Sequence, residues 1–269
     1  MNRTYKNFLY SAFVLLFYLF TILSCQPNSP SVFLLCDTPP EPQMDVLQKF
    51  LRSRAYDVQQ LAQEEFPEAM TRKRATAVIV YVHKPFLKSV EKQLIEYCLA
   101  GGRVIALHHA IASAKMQNER WLPFTGIRLS KEPDARYPWT VLHNGRFTMV
   151  NLNPQHFITS NKIHYDEQVR YLSSDAPSDS TTLPGFTFED TELLMNQMFV
   201  DGRRKTVLFG YKFTNTSDGK VYMADRAGWL LKKGEGYLFY FVAGHNVSDF
   251  ENESFCQVIL NCLLWDEHL

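Results

Sequence analysis

Three short runs of uninterrupted apolar residues, 32-VFLLC-36, 77-AVIVYV-82 and 104-VIAL-107, constrain this chain more than any other feature. Each has the length of a strand and is too short for a helix, and continuous apolarity means that both faces of the strand are covered. Between the runs, apolar residues recur at helical spacing. Met44, Leu47 and Leu51 follow the first run, then a possible edge strand near Tyr56 and Val58; Leu87, Val90, Leu94, Tyr97 and Cys98 follow the second, with Gly101 and Gly102 placed to end that helix. Fully buried strands joined by amphipathic helices predict an α/β fold: a single-domain, mostly parallel, doubly wound sheet with helices on both faces. A length of 269 residues is compatible with one such domain.

The second half is less regular. The stretch 138-PWTVLHNGRFTMVNL-152 reads as a hairpin and 173-SSDAPSDSTTLPG-185 as a long exposed loop. Strand-like 206-TVLFGYKF-213, hairpin-like 214-TNTSDGK-220 and a strand 237-YLFYFV-242 come next. Phe255, Val258, Ile259, Cys262 and Leu263 then mark one face of a closing helix, with Asn252 or Ser248 as its N-cap. This half is expected to elaborate the sheet and not to form a second domain.

At the start of the chain, Arg3 and Lys6 precede the apolar run 8-FLYSAFVLLFYLFTIL-23, followed at once by Ser24 and Cys25. The run is short for a membrane span and long enough for a signal-peptide core. The order resembles a bacterial lipoprotein signal with 22-ILSC-25 as lipobox, which implies a signal peptide over 1–24, lipidation of Cys25, a polar tether over 25–31 and a folded domain over 32–269. The alternative is a short anchor that is never cleaved. Both predict a membrane-anchored protein whose domain lies outside the cytoplasm.

Twenty-eight basic residues balance twenty-eight acidic ones, so no global field recruits nucleic acid. Cys36, Cys98, Cys256 and Cys262 show no C-x-x-C spacing, which removes zinc-thiolate and thioredoxin-like readings and leaves Cys98, Cys256 and Cys262 as small buried residues. A thiol hydrolase built on Cys36 lacks a neighbouring base in sequence.

Ligands of open α/β sheets gather at the carboxyl ends of the strands. His108 follows 104-VIAL-107, and His245 follows 237-YLFYFV-242 after 243-AG-244. If the two strands run the same way in one sheet, the imidazoles converge. Such a pair can bind a divalent metal such as zinc or divide general-acid and general-base work; alternatively, each merely bonds a neighbouring loop. Asp37 and His83 also stand at strand ends, as rim groups or as turn and cap residues. His109 is expected to point away from His108, because neighbours on an extended segment alternate faces. Trp121, Trp139, Trp229 and Tyr137 would suit sugar stacking, although buried aromatics are commoner than exposed platforms.

The segments 101-GGRVIALHHA-110, 237-YLFYFVAGHNVSDFENESFCQVILNCLLW-265 and 153-NPQHFIT-159, the last with Phe157 where proline is usual, resemble the ThuA-like (trehalose utilisation) family over roughly residues 31 to 266. The family is similar in fold to flavodoxin-like class I glutamine amidotransferases. The resemblance puts His108 at their nucleophilic cysteine and His245 at their later strand-end histidine. Imidazole is a poor acyl acceptor beside a thiolate, so glutamine hydrolysis is not an expected inheritance. The family's Asp-Glu pair has two candidates: Asp166 and Glu167 in 164-HYDEQ-168, which keep the adjacency, and Asp190 and Glu192 in 186-FTFEDTELL-194, favoured by their flanks. The implied ligand is a small sugar, trehalose or a related disaccharide or keto-sugar. The rival expectation is a non-catalytic sugar-binding or scaffold module on the same fold.

Overall fold

The structure, a computed structural model, describes residues 29–132, 137–175, 180–202 and 204–268. Strands β1 (Ser31–Cys36), β2 (Asp57–Leu61), β3 (Ala77–Tyr81) and β4 (Arg103–Leu107) alternate with helices α1 (Pro42–Arg52), α2 (Phe66–Arg72) and α3 (Lys88–Leu99). The apolar runs form β1, β3 and β4, in which every residue except Arg103 at the start of β4 is buried. Helix α3 ends where Gly101 takes a φ of +101° and the Gly102 N–H donates to the Tyr97 carbonyl at 2.9 Å. All pairings among these strands are parallel.

Beyond β4 come a 3-10 turn (His108–Ile111), α4 (Trp121–Thr125), β5 (Ile127–Arg128), β6 (Thr140–Asn151), α5 (Phe157–Ser160), β7 (Glu167–Tyr171), β8 (Thr181–Met195), β9 (Met198–Phe199), β10 (Thr206–Asn215), β11 (Val221–Lys233), β12 (Gly236–Phe241), α6 (Val247–Glu251) and α7 (Glu253–Leu264). Ten strands make one sheet in the order β2-β1-β3-β4-β12-β11-β10-β6-β8-β7. Strand β12 is parallel to β4 on one side and antiparallel to β11 on the other. The sheet is therefore parallel at one end and antiparallel at the other, and the second half of the chain extends it as expected.

Two local expectations are corrected. Residues 140–151 are one strand and not a hairpin. The turn-forming 143-HNG-145 instead makes a bulge, with Asn144 at a φ of +52° and a register shift against β8 between Leu142 and Phe147. Strand β6 pairs with β10 as well as β8, so the chain has partners on both edges and passes through without reversing. In 173–185, residues 181–185 already belong to β8, and 176–179 lie outside the described residues. So do the signal segment and Cys25; no helix among the described residues is long and apolar enough to cross a membrane.

Helix α7 is N-capped by Asn252, whose side chain accepts from the Phe255 N–H at 3.2 Å. Its apolar face joins the core shared by the strands. Cys36, Cys98, Cys256 and Cys262 are buried free thiols, and burial pushes the first three up to about 12.

Candidate metal and acid-base centre

Because β4 and β12 are parallel neighbours, with Leu107 opposite Phe241, their carboxyl ends open side by side. His108, fully buried, turns sharply out of β4 at a φ of +48°, a left-handed conformation that costs a residue with a Cβ about 1–3 kcal/mol. Its ring nitrogen Nδ1 lies 2.8 Å from the Val242 carbonyl oxygen. A carbonyl can only accept, so Nδ1 carries the hydrogen there. The other nitrogen, Nε2, lies 2.8 Å from Glu192 Oε1.

His245 reaches the same carboxylate from the loop after β12, its Nδ1 standing 3.2 Å from Glu192 Oε1 and 3.3 Å from His108 Nε2. Gly244 precedes it at a φ of +108°, a conformation that favours glycine. One oxygen of buried Asp249 gathers this loop, accepting from the N–H groups of Gly244 at 3.3 Å, His245 at 2.8 Å and Asn246 at 3.3 Å, and from the Thr191 hydroxyl at 2.9 Å. His108, Glu192 and His245 each offer a ligand atom, and those atoms lie within 4.8 Å of one another.

Glu192 is only 5% exposed, and burial by itself raises a carboxyl's pKa; the hydrogen bonds from His108 and His245 outweigh that and hold it well below the usual carboxylate range. The same bond to Glu192 raises His245 above its ordinary value.

The expectation for His109 is corrected. Its Nε2 is 3.2 Å from Glu192 Oε1, beside His108 and not on an opposite face. Face alternation holds for extended chain, and the 3-10 turn ends the extension at residue 108. Burial, then the neighbouring His108 and His83, push His109 down to about 2, and its Nδ1 is buried without a partner. His83 lies against it at 4.4 Å between ring centres. Asp37 holds that part of the rim, accepting from the N–H groups of His83 at 2.7 Å and Lys84 at 3.3 Å.

Of the candidate carboxylates, the structure brings Glu192 alone to the imidazoles. Asp190 sits in a left-handed bulge at a φ of +50° with an exposed side chain, and its carbonyl accepts from Asn246 Nδ2 at 2.8 Å. Asp166 is exposed just before β7, and Glu167 pairs with Arg146 on β6. Sequence adjacency misleads here because consecutive residues in or near a strand face opposite ways. Trp121 and Trp229 are core residues, whereas Tyr137 is 50% exposed. In 153-NPQHFIT-159, His156 caps α5, accepting from the Ile158 N–H at 3.2 Å.

Three participants were missed by sequence reasoning. His143, 65% exposed, stands with Nδ1 3.0 Å from Glu192 Oε2; only the bulge in β6 delivers it, and no local signal marks it. Asp249 forms a capping box with Asn246, and its N-x-x-D spacing is legible in retrospect. Lys115, fully buried, donates to the carbonyls of Val82 at 2.7 Å, His83 at 3.4 Å and Lys84 at 2.6 Å, bracing the His83 loop from beneath.

Two imidazole nitrogens and a carboxylate oxygen form a ligand set suited to zinc or a similar divalent ion with an open position. His108 has the support such ligands usually have, its far nitrogen donating to a backbone carbonyl. The same groups can also exchange protons directly.

A family model described as ThuA, trehalose utilisation, matches residues 37–266. A crystal structure of a ThuA-like protein from Bacteroides uniformis is similar over 88% of this chain and 92% of that one, with 13% identity and a TM-score of 0.58. Beta-galactosidases from Bacillus circulans sp. alkalophilus and G. stearothermophilus are matched over 87% and 88% of this chain and 30% of each of theirs, with 10% and 13% identity and TM-scores of 0.47 and 0.46. No curated protein matches.

Proposed function

The chain belongs to the ThuA family, trehalose utilisation, and from that premise we propose that it acts on trehalose, a related disaccharide or a keto-sugar at the centre formed by His108, Glu192 and His245. The supporting observation is the commitment of His108 Nδ1–H to the Val242 carbonyl, which turns Nε2 toward the gap shared with Glu192 and His245; there Nε2 donates its hydrogen to Glu192, and an ion that displaced this proton would take up the lone pair. In this reading the three residues hold a divalent ion such as zinc, which supplies Lewis acidity toward a sugar oxygen. In the alternative form of this reading, with no ion bound, Glu192, held as a carboxylate, and His245, with its raised basicity, orient the sugar hydroxyls and move protons at the same place. The domain works outside the cytoplasm, held to a bacterial membrane by lipidated Cys25.

Elemental analysis of the purified full chain, followed by turnover assays with trehalose and its oxidised forms, tests the proposal. One bound divalent ion and turnover that His108→Ala abolishes are expected. Turnover and metal content that survive this substitution remove the centre, and sugar binding with neither metal nor turnover assigns the protein to the sugar-binding class. Retention of the Cys25→Ala variant in the membrane after release of the signal segment would exclude the lipid anchor.

A further inference from the structure

Each of the three segments that brings a ligand to the centre also contributes to a second, buried set of hydrogen bonds beneath it. Strand β8 delivers Glu192, and Gln197 follows five residues later; β12 provides Tyr240 five residues before His245; the turn after β4 begins at His108 and ends at Ile111. Gln197 Nε2 donates to the Ile111 carbonyl at 3.0 Å and to the Tyr240 hydroxyl oxygen at 2.6 Å. The Tyr240 hydroxyl donates in turn to the His108 carbonyl at 3.1 Å.

The proton order is fixed by chemistry. Ile111 offers only an acceptor, so the Gln197 amide nitrogen faces it; the tyrosine oxygen then accepts from the amide and spends its own hydrogen on His108. Gln197 and Tyr240 are both buried, and burial pushes the tyrosine up, so the hydroxyl keeps that hydrogen. The backbone of Gln197 is anchored from the other side, its main-chain carbonyl accepting from the guanidinium of Arg226, which pairs with Asp175.

His108 adopts a left-handed turn with no glycine to ease it, and a single-residue strain of this kind persists where its surroundings hold it. The two carbonyls held by Tyr240 and Gln197 are those at the two ends of the turn. We propose that Gln197 and Tyr240 are positioning residues that lock this turn, and so keep His108 Nε2, Glu192 and His245 in register for a metal ion. The inference rests on reading those three residues as a metal centre.

The test compares Tyr240→Phe and Gln197→Leu with Tyr97→Phe in the full chain. Tyr97 is an apt control because its hydroxyl also donates to a backbone carbonyl, that of Ala75 at 3.1 Å, at the amino ends of β3 and β4 and so at the opposite end of the strands from His108. Two quantities are read: zinc affinity by competition with a chromophoric chelator, and the exchange-protected imidazole proton on His108 Nδ1 by nuclear magnetic resonance. A fall in zinc affinity of about tenfold or more, with faster exchange of that proton, is expected in both test variants and in neither respect in Tyr97→Phe. Unchanged affinity and proton exchange in the test variants, or equal losses in all three proteins, would overturn the proposal. Should the unaltered chain take up no zinc, the metal reading fails, and the His108 proton decides the positioning role by the same comparison.

Discussion

At Asp249 one carboxylate oxygen collects three backbone N–H groups and a hydroxyl, and the loop carrying His245 depends on it. Hydrogen bonds to a charged group contribute about 1.5–3 kcal/mol each when broken singly. Asp249→Asn, which loses the charge and turns an amide toward donors, is expected to lower unfolding free energy by about 2 kcal/mol in urea titrations and to weaken zinc binding. Lys115 is the other residue whose chemistry is set by depth. Burial pushes its ammonium down to about 7 although three carbonyls receive it. Between that value and the ordinary lysine range the unfolded chain holds a proton that the folded protein tends to release. Stability therefore gains from Lys115 as pH rises from about 7 towards 10, by at most about 1.4 kcal/mol per pH unit. Lys115→Met is expected to be less stable at every pH, because buried carbonyls lose their donor, and to show a flatter dependence in that window; an unchanged slope would place the titration elsewhere. His108 and His245 were legible because each directly follows a recognisable strand. Lys115 and His143 were not, since their positions depend on a loop path and a bulge.

Strands position this centre more than helices do. Strand β12 begins at Gly236, where a Cβ would overlap the carbonyls of Cys98 and Gly102 at the end of α3. Backbone atoms on both sides cannot move aside as a flexible side chain could. Gly236→Ala is expected to cost about 3 kcal/mol, read as a lowered denaturation midpoint, and a change near zero would show that α3 and β12 can separate locally. The β6 bulge shows why element boundaries were harder to read than strand cores. The composition of 143-HNG-145 favours a turn whether the chain reverses or only kinks, and the presence of β8 and β10 on its two edges decides for the kink. The apolar runs allowed no such ambiguity, because their burial on both faces follows from composition.

For the whole molecule, the candidate centre draws its three side chains from the turn after β4, from β8 and from the loop after β12, so the cluster exists only when the sheet has assembled. An ion that binds the folded chain alone stabilises it by mass action, about 2.7 kcal/mol at one hundred times its dissociation constant. Zinc is accordingly expected to raise the melting temperature, and to leave that of Glu192→Gln unmoved; equal shifts in both would mean that the ion binds elsewhere. By itself the sequence determined the α/β class, the parallel end of the sheet and the two strand-end histidines, since strand burial and helical spacing are local properties of residue order. Only the tertiary structure decided that Glu192 is the carboxylate, that His109 and His143 join it, and that Asp249, Lys115, Gln197 and Tyr240 brace the assembly. Those choices depend on strand order and register, which bring together residues up to 137 positions apart, and no pattern within one segment encodes its distance to another.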